Sequence, residues 1–486
     1  MIDRVVVVIF DGLRPDVIND ALMPNLAALR RRGTWFSQAR SVFPSVTRVA
    51  AASIASGTMP AQHGVINNRF YHPKALAERP LELGGLPDIL RLSAIGEAPL
   101  CVPTYADVLA AHGKQMAVVH GGTPGACYFS NPKAAQNGHW VYSIHGREAT
   151  VTPDTYDEVR ARFGAEPRHG APCFETATRL ADVYVDHVLP RIDPDVAFIW
   201  FPEPDTSFHH IGISAKETHA VLTHTDAQLG RILAAIEARG ASERTAVLVA
   251  SDHGQITVDE EVAIFNLLAD AGFAVGTALR DGLAVMGVGG RAGELRVMSG
   301  DPALRDDLVA WLREQPFTGL LFSADKNGVE GQAPGTFSMK LVGADHRRAP
   351  DIVFVLRCWQ ERDPAGLPGR GLLFAGEVPV GCGTHGGLNR QELTSTLILA
   401  GPGMPENAVV DVPVGIVDIA PTVLSLLGLP TPPTMTGRSL AASAAGSGKS
   451  RTPANLETGL GSFAQRLSIS RGARDFHLLE GMRLGS

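Results

Sequence analysis

Cysteine is scarce in this sequence, and the way its few cysteines are spread argues against a disulfide framework. There are five, an odd number, and no Cys-x-x-Cys pair occurs. Such usage is typical of a reducing compartment, in which thiols stay free. The five are Cys101, Cys127, Cys173, Cys358 and Cys382.

Long apolar runs and an excess of positive charge are also missing. No stretch approaches the roughly 20 apolar residues that cross a bilayer. Lys and Arg number 43 against 50 Asp and Glu, so the formal net charge is −7. Because no basic patch stands out, nucleic acid and anionic membranes are not expected as partners.

The first residues do not look like a secretion signal. Met1 and the three residues after it run straight into Val5–Phe10, which is too short and too strand-like for a signal peptide. We therefore expect a cytoplasmic protein, although a mature chain whose signal peptide had been removed would look the same.

What the chain has in quantity is apolar residues, about 45% of 486, enough for a large buried core. Short β-branched runs alternate with helical patterns, which favours a mainly parallel sheet covered by helices on both faces. We predict an α/β fold, a three-layer α/β/α sandwich with a mainly parallel central sheet. The predicted strands are Val5–Phe10, Lys114–His120, Val196–Phe201, Arg244–Ala250 and Thr394–Ala400, and the clearest predicted helices are Met23–Arg32 and Ala215–Gly240.

The pattern also divides the chain into a main domain and additions. Residues 1–440 form the predicted catalytic domain, with loop-rich Asn68–Cys101 and a cap at approximately 260–370 inserted in it. Residues 441–455 are rich in Ala, Ser and Gly and are predicted to be a flexible linker. Residues 456–486 regain apolar side chains, so this tail packs on the core or on a second subunit, and a homodimer is one expectation.

Three acidic residues follow predicted strands. Asp11 comes directly after the first strand, and Asp205 and Asp252 follow two later ones. Ligands of open α/β sheets bind beyond the carboxyl ends of the strands, so these three should converge on one crevice. Their charges repel each other, and divalent cations would resolve that conflict.

Histidines accompany these carboxylates. Asp205 and His209 stand four residues apart, which places both on one side of a helical turn. Asp252 is followed directly by His253, and His385 lies in a Gly-rich loop whose backbone can approach a site closely. Mixed Asp and His ligands suit Zn²⁺ best, with Mn²⁺ or iron as alternatives.

Thr47 is the candidate nucleophile. It precedes a run of small residues that reads as a helix, and a helix N-terminus favours phosphate. Coordination to a cation lowers the pKa of a hydroxyl and makes it reactive. Taken singly, a Thr before a helix is usually an N-cap and an Asp after a strand is usually a turn residue. That explanation weakens when it must account for all of these residues together.

These residues occur in an ordered set of motifs, over about residues 1–440, that resembles the nucleotide pyrophosphatase/phosphodiesterase branch of the alkaline phosphatase superfamily. The motifs are Val8-Ile-Phe-Asp11-Gly-Leu-Arg14, Phe43-Pro-Ser-Val-Thr47, Ser56-Gly-Thr-Met-Pro60-Ala-Gln-His63-Gly-Val-Ile-Asn-Asn68, Glu203-Pro-Asp205-Thr-Ser-Phe-His209, Ser251-Asp252-His253-Gly254, Gly383-Thr-His385-Gly386 and Val417-Asp-Ile-Ala-Pro-Thr422.

The resemblance implies a role for each residue. It places one metal on Asp205, His209 and His385, and the second on Asp11, Asp252, His253 and the Thr47 oxygen. It also implies that Asn68 donates to a phosphate oxygen. The expected enzyme is a two-metal hydrolase that cleaves phosphate diester or pyrophosphate bonds through a covalent phospho-threonine on Thr47.

One departure from the family pattern concerns the substrate. Nucleotide-cleaving members carry an aromatic residue after the nucleophile, whereas this chain has Arg48. A guanidinium suits a carboxylate or second phosphate better than a base. The alternative is therefore a phosphonate hydrolase, related to phosphonoacetate hydrolase, or a phosphomonoesterase on the same scaffold. A third hypothesis, an inactive metal-binding scaffold, is disfavoured because the ligands and the nucleophile are all present.

Other chemistries find less support in the sequence. No Cys or Ser followed by Pro-x-Arg lies near Thr47, which disfavours a sulfatase, and no Gly-x-Ser-x-Gly elbow supports an ordinary serine hydrolase. His210, beside His209, is predicted not to be a ligand. The expected partner is a small phosphorus-ester substrate.

Overall fold

An eight-stranded sheet forms the centre of the computed structural model, which describes residues 2–444, 451–472 and 475–485. All neighbouring strands in it are parallel except those on either side of β20, which runs antiparallel to both. In order across the sheet, the strands are β21 (Ala408–Val410), β2 (Thr34–Phe36), β20 (Leu397–Ala400), β9 (Thr245–Ala250), β1 (Arg4–Phe10), β8 (Val196–Phe201), β6 (Met116–His120) and β7 (Trp140–Ser143).

Helices cover both faces of this sheet. The helices of the chain are α1 (Pro24–Arg31), α2 (Thr47–Ser56), α3 (Pro60–His63), α4 (Leu86–Ala94), α5 (Tyr105–Ala111), α6 (Pro124–Ser130), α7 (Ala134–Asn137), α8 (Pro153–Phe163), α9 (Phe174–Val183), which continues as a π-helix over Tyr184–Ile192, α10 (Asp205–His210), α11 (Lys216–Ala238), α12 (Ile264–Asp270), α13 (Pro302–Glu314), α14 (Arg390–Leu393), α15 (Ile419–Leu426) and α16 (Leu440–Ala444).

The buried first strand shows why three layers form. Val5, Val7 and Ile9 belong to a core shared with α2 and α15. The alternate residues of β1 belong to a second core shared with α1 and α11. Because side chains alternate across a strand, an apolar run can feed two cores at once. The predicted three-layer α/β/α architecture is confirmed.

The register of the central strands brings their carboxyl ends together. Phe10 pairs with Phe201 on β8, and Ile9 pairs with Ala250 on β9. All three strands run in the same direction, so the residues that follow them lie at one edge of the sheet. This edge carries the candidate site.

Smaller sheets accompany the central sheet. A four-stranded sheet has the order β17 (Cys358–Arg362), β18 (Pro368–Phe374), β10 (Ile256–Val262) and β19 (Gly383–Thr384), and two-stranded sheets pair β3 (Ala39–Arg40) with β22 (Val414–Gly415) and β4 (Arg69–Phe70) with β5 (Leu81–Glu82).

The region predicted as a cap forms a sheet with its own apolar core, to which α12 and α13 contribute. This six-stranded sheet, called the cap sheet below, has the order β11 (Val275–Gly276), β12 (Val285–Val288), β13 (Ala292–Val297), β16 (Ile352–Leu356), β14 (Thr318–Ser323) and β15 (Phe337–Ser338).

The C-terminal region differs from the predicted flexible linker over residues 441–455. Helix α16 occupies the start of this range, and a regular strand begins at Thr452; residues 445–450 lie outside the described part of the chain. The strand belongs to a three-stranded sheet of β23 (Thr452–Leu460), β24 (Phe463–Arg471) and β25 (Phe476–Leu484). Leu467 and Leu478 of this sheet belong to the same buried apolar cluster as the cap-sheet residue Phe322, so the tail packs on its own chain. The alternating pattern of β24, with its apolar residues inward, was the available signal for a strand.

Within residues 2–444, 451–472 and 475–485, no helix combines the length and the apolar character that a bilayer-spanning segment needs.

Candidate functional site

Two groups of Asp and His side chains lie at the carboxyl edge of the central sheet. The first contains Asp205, His209 and His385, and the second contains Asp11, Asp205 and His253. Within each group, one potential ligand atom per residue lies within 4.8 Å of the others. Asp205 belongs to both groups, so the two sites are neighbours, as a paired metal centre requires.

Asp11 stands at the end of β1 and is 4% exposed. Its Oδ2 accepts a 2.9 Å hydrogen bond from the indole N–H of Trp200, whereas its Oδ1 is buried without a hydrogen-bond partner among the described residues. Burial and the nearby charges of Asp252 and Asp205 raise the pKa of Asp11 well above its ordinary value. A bound cation would relieve both the lost hydration and the repulsion.

Asp252 and His253 follow β9 and are completely buried. Oδ1 of Asp252 accepts from the backbone N–H of Gly12, while Oδ2 has no hydrogen-bond partner among the described residues. Nε2 of His253 lies 3.1 Å from that Oδ2 and 3.7 Å from Oδ1 of Asp11. Gly12 adopts a φ of +70°, which permits the turn that brings its N–H to Asp252.

Asp205 begins the short helix α10, and His209 follows one turn later with its Nε2 3.3 Å from Oδ1 of Asp205. The loop before α10 is held by Glu203, which is fully buried and accepts hydrogen bonds from the backbone N–H groups of Cys173 and Ser207. The predicted i, i+4 placement of the carboxylate and the imidazole on one helical turn is confirmed.

His385 reaches the same point from the Gly-rich loop after β19. Its Nε2 lies 3.1 Å from Nε2 of His209 and 3.5 Å from Oδ1 of Asp205. Its Nδ1 faces the carbonyl oxygen of Ser45 at 2.8 Å, which fixes the orientation of the ring. Burial and the charge of His253 lower the pKa of His385 well below its ordinary value, so the imidazole is neutral, which is the form that binds a metal.

Thr47 is the first residue of α2 and is 6% exposed. Its Oγ1 lies 3.4 Å from Nε2 of His253, so the hydroxyl faces the second group of ligands. Val46 precedes the helix and offers no side-chain cap. Thr47 therefore does not act as the ordinary N-cap, and the N-terminus of α2 lies at the site.

Asn68 lies beside Thr47, because its Oδ1 accepts a 3.1 Å hydrogen bond from the backbone N–H of Arg48. An N–H can only donate, so the atom that faces it is the amide oxygen, and the NH₂ group of Asn68 occupies the other position. Thr47, Arg48 and Asn68 all line one cavity of about 640 Å³. Asp11, Asp205, His209 and His385 line the same cavity.

Arg48 and Arg69 both line this cavity, but their surroundings differ. Arg69 pairs with Glu377 at 2.5 Å and approaches Glu82 at 3.9 Å. The guanidinium of Arg48 forms no salt bridge among the described residues, and its Nε is buried without a hydrogen-bond partner. Burial lowers the pKa of Arg48, against the opposing effect of Glu82. Arg48 thus presents an unpaired cation beside Thr47.

A third Asp/His group lies in the C-terminal region and has a different character. It contains Asp418, Asp475 and His477. Asp475 forms ion pairs with Arg451 and, at 3.9 Å, with Arg438. Guanidinium groups thus already neutralise Asp475, and Asp418 accepts from the backbone N–H groups of Arg438 and Gly415, so the group does not need a cation.

Every residue predicted for the site lies at this edge of the sheet, but the sequence reasoning did not identify the side chains that support them. Trp200 holds Asp11, and Nε2 of Gln255 donates to Oδ1 of Asp205. Gln255 directly follows Ser251-Asp252-His253-Gly254, so its position was a usable signal. Trp200 looked like an ordinary strand residue, and nothing local indicated its partner.

The profile of the family described as "Type I phosphodiesterase / nucleotide pyrophosphatase" matches residues 5–357. Human ectonucleotide pyrophosphatase/phosphodiesterase family member 7 is 22% identical over 263 residues, which is 53% of this chain and 49% of that protein. A venom phosphodiesterase from Macrovipera lebetinus is 25% identical over 252 residues, which is 50% of this chain and 24% of that protein. The matches thus cover less than half of each of these relatives.

The fold is also similar to that of a solved structure, murine ectonucleotide pyrophosphatase/phosphodiesterase 5. The TM-score is 0.61 at 15% identity, with 88% of this chain and 96% of that chain covered. An inactive variant of the murine protein has been solved in complex with AMP, with a TM-score of 0.61 at 16% identity over 89% of this chain and 96% of that chain. At this level of identity the likeness concerns the fold.

Proposed function

Because this chain belongs to the type I phosphodiesterase / nucleotide pyrophosphatase family, we propose that it hydrolyses phosphate diester or pyrophosphate bonds with Thr47 as nucleophile. The observation that carries the proposal is the position of the Thr47 hydroxyl, 3.4 Å from Nε2 of His253, at the N-terminus of α2. A nucleophile, a cluster of anionic and imidazole ligands, and a helix N-terminus meet there within one cavity.

The donor set supports two divalent cations, and Zn²⁺ suits it best. The proposed ligands of one ion are Asp205, His209 and His385, and those of the other are Asp11, Asp252, His253 and Thr47. The unpartnered buried oxygens of Asp11 and Asp252 fit this assignment, because a buried carboxylate oxygen without a donor otherwise bears a large desolvation cost. When bound, such ions act as Lewis acids that favour the alkoxide of Thr47 and neutralise developing negative charge.

In the proposed reaction Thr47 attacks phosphorus in line with the leaving oxygen. The bond between Oγ1 and phosphorus forms as the ester or anhydride P–O bond breaks, which yields a phospho-threonine and releases the leaving group. Water then cleaves the phospho-threonine and regenerates the hydroxyl. The NH₂ group of Asn68 and the N–H groups of the first turn of α2 other than that of Arg48, which Asn68 already accepts, bind the non-bridging oxygens, on which charge increases in the transition state.

Arg48 supports a second candidate function on the same scaffold, the hydrolysis of phosphonates or phosphomonoesters. Its unpaired guanidinium lies where it can bind a second anionic group of the substrate. Gly84 leaves room for it, since a Cβ at that position would stand 3.1 Å from Nη2. A planar guanidinium binds a carboxylate or phosphate in two-point fashion.

A panel of substrates tests these two functions. Purified Zn²⁺-loaded protein is assayed with bis-p-nitrophenyl phosphate, p-nitrophenyl phosphate, a dinucleotide pyrophosphate and phosphonoacetate. We expect the highest kcat/KM for a diester or pyrophosphate. A preference for phosphonoacetate or the monoester would establish the second function instead, and no turnover of any of the four would reject both.

We also propose that residues of approximately 260–370 form a cap inserted in the catalytic domain of residues 1–440. We propose further that the protein forms a homodimer. Ala292 of the cap sheet and Arg291, which directly precedes it, line the wall of the cavity, which supports a role for this region in admitting substrate.

A further inference from the structure

Glu294 is a buried acid on β13 of the cap sheet, 5% exposed. Among the residues that the structure describes, no salt bridge involves it. Burial raises the pKa of Glu294 to about 7, although the hydrogen bond from Asn67 and the charges of Arg296 and Arg69 act in the opposite direction. Burial of a carboxyl group without an ion-pair partner costs free energy of folding, and such groups are often functional.

The hydrogen-bond partner of Glu294 is Asn67, which directly precedes the site residue Asn68. Nδ2 of Asn67 donates a 2.9 Å hydrogen bond to Oε1 of Glu294 and a longer one, 3.3 Å, to the carbonyl oxygen of Ala292. Oδ1 of Asn67 accepts a 2.8 Å hydrogen bond from the backbone N–H of Asn68. Asn68 in turn accepts from the N–H of Arg48.

The direction of each hydrogen bond in this series is determined by chemistry. The N–H of Asn68 can only donate, so the atom of Asn67 that faces it is the amide oxygen. The NH₂ group of Asn67 is therefore turned toward the cap sheet and requires acceptors there. Glu294 and the carbonyl of Ala292 are those acceptors, and Glu294 accepts the shorter bond.

We propose that Glu294 is a positioning residue that acts through Asn67: its carboxyl oxygen fixes the amide plane of Asn67, and Asn67 thereby holds Asn68 against the phosphoryl oxygen. This inference rests on the proposed function of Asn68. It makes one acceptor on the cap sheet, the carboxyl group of Glu294, part of the oxygen-binding site.

Loss of the acceptor has a predictable consequence. Without Glu294, the buried NH₂ group of Asn67 keeps only the longer bond to Ala292, so the amide plane of Asn67 is held less firmly. The position of Asn68, whose backbone N–H donates to that amide, then varies. Displacements of about 1 Å at a reacting group cost on the order of a hundredfold in rate.

The test compares Glu294→Ala and Glu294→Gln with Leu295→Ala in the full Zn²⁺-loaded chain. Leu295 is the next residue of β13 and belongs to the apolar core of the cap, so its truncation damages the cap without removing the acceptor. With bis-p-nitrophenyl phosphate, Glu294→Ala should lower kcat at least about tenfold with a smaller change in KM. Glu294→Gln should recover most of the loss, since its amide oxygen can accept from Asn67, and Leu295→Ala should stay within about threefold of the wild type.

A double variant sharpens the assignment. Asn67→Ala with Glu294→Ala should be no slower than Asn67→Ala alone, because both changes break the same series of hydrogen bonds. Additive losses would overturn the proposal. So would wild-type turnover by Glu294→Ala, an equal loss in Leu295→Ala, or a Glu294→Gln variant as slow as Glu294→Ala.

A second measurement separates this inference from the proposed function. If the wild type has no turnover, or if Thr47→Ala matches it, the proposed function fails. The affinity of each Zn²⁺-loaded variant for inorganic phosphate, measured by calorimetry, still reports on Asn68. We expect Glu294→Ala to bind phosphate at least about fivefold more weakly than Leu295→Ala, and equal affinities would overturn the positioning role by itself.

Discussion

The indole N–H of Trp200 donates to Oδ2 of Asp11 at 2.9 Å and leaves Oδ1 of the same carboxylate directed at the site, 3.7 Å from Nε2 of His253. Trp200 lies on β8 and is completely buried, and Asp11 directly follows the neighbouring parallel strand β1. This bond selects the carboxylate orientation that offers Oδ1 to an ion. Such supporting hydrogen bonds tune metal affinity.

Trp200→Phe should therefore weaken metal binding about 10- to 100-fold, because the ring stays but the donor is lost. Competition with a fluorescent zinc chelator measures the effect. Trp140→Phe is the matched control, since Trp140 is also buried and its N–H has no hydrogen-bond partner among the described residues. Equal affinity in the two variants would contradict the role of Trp200.

His209→Ala should reduce the metal content from about two ions per chain to about one, since it removes a ligand that only the first group uses. Elemental analysis after gentle purification gives the stoichiometry. His210→Ala provides the control, because the neighbouring residue belongs to neither group. A wild-type content of one ion or none would refute the paired centre itself.

Thr47→Ala should lower the turnover of bis-p-nitrophenyl phosphate by at least about a thousandfold, because no other hydroxyl is proposed to attack phosphorus. Thr47→Ser should retain part of the activity, since it keeps the oxygen. Steady-state rates and circular dichroism separate lost chemistry from lost folding. Turnover by a well-folded Thr47→Ala protein within tenfold of the wild type would remove Thr47 from its role.

Arg48→Ala should raise KM about 10- to 100-fold for substrates that carry a second anionic group, as expected for the loss of a charge-assisted hydrogen bond. It should leave KM for a diester with uncharged substituents within about twofold. Initial rates measured on two matched substrates, one with and one without the second anionic group, give the two KM values. A uniform rise for both would mean that Arg48 supports the site without reading the substrate.

The free energy of unfolding of Glu294→Gln relative to wild type should depend on pH. The folded pKa of Glu294, about 7, exceeds the ordinary value of 4.5. Between these values the folded state holds more protons than the unfolded state, so wild-type stability falls as pH rises through this window. The variant lacks this loss, and its relative stability should increase by at most about 3 kcal/mol from pH 4.5 to pH 7.

Urea unfolding at pH 5 and pH 8 measures that change. Asp418, whose pKa burial raises to about 6, contributes to the pH dependence of both proteins and cancels in the comparison. A stability difference that is the same at both pH values would show that Glu294 does not titrate in this range.

Much of the architecture could be predicted from the sequence alone. Val196–Phe201 was predicted with its observed bounds, and the other predicted strands and helices, Val5–Phe10 among them, differ from the observed ones by one to three residues at one or both ends. Short apolar runs bounded by polar residues predict buried strands without knowledge of tertiary contacts. The predicted linker of residues 441–455 overlaps β23, which begins at Thr452 and pairs with β24. The alternating apolar side chains of β24 pack on a part of the cap sheet that is far away in the sequence.

Some residues of the site could likewise be predicted from the sequence, and others could not. Asp11, Asp205 and Asp252 were predictable because parallel strands end at one edge, so position in the chain implied position in space. The roles of Trp200, Asn67 and Glu294 could not be predicted from the sequence. The hydrogen-bond partner of Trp200, Asp11, is 189 residues away in the chain, and Asn67 and Glu294 are 227 residues apart.

The sequence alone thus determined the sheet, its two apolar faces and the chemical types of side chain at its edge, because strand alternation and local polarity are properties of short segments. Only the tertiary structure decided that Asp205 belongs to both groups of ligands, that Arg48 forms no salt bridge within the described part of the chain, and that Glu294 of the cap sheet reaches Asn68 through Asn67. These facts depend on distances between segments far apart in the chain, and such distances exist only once the whole core has packed.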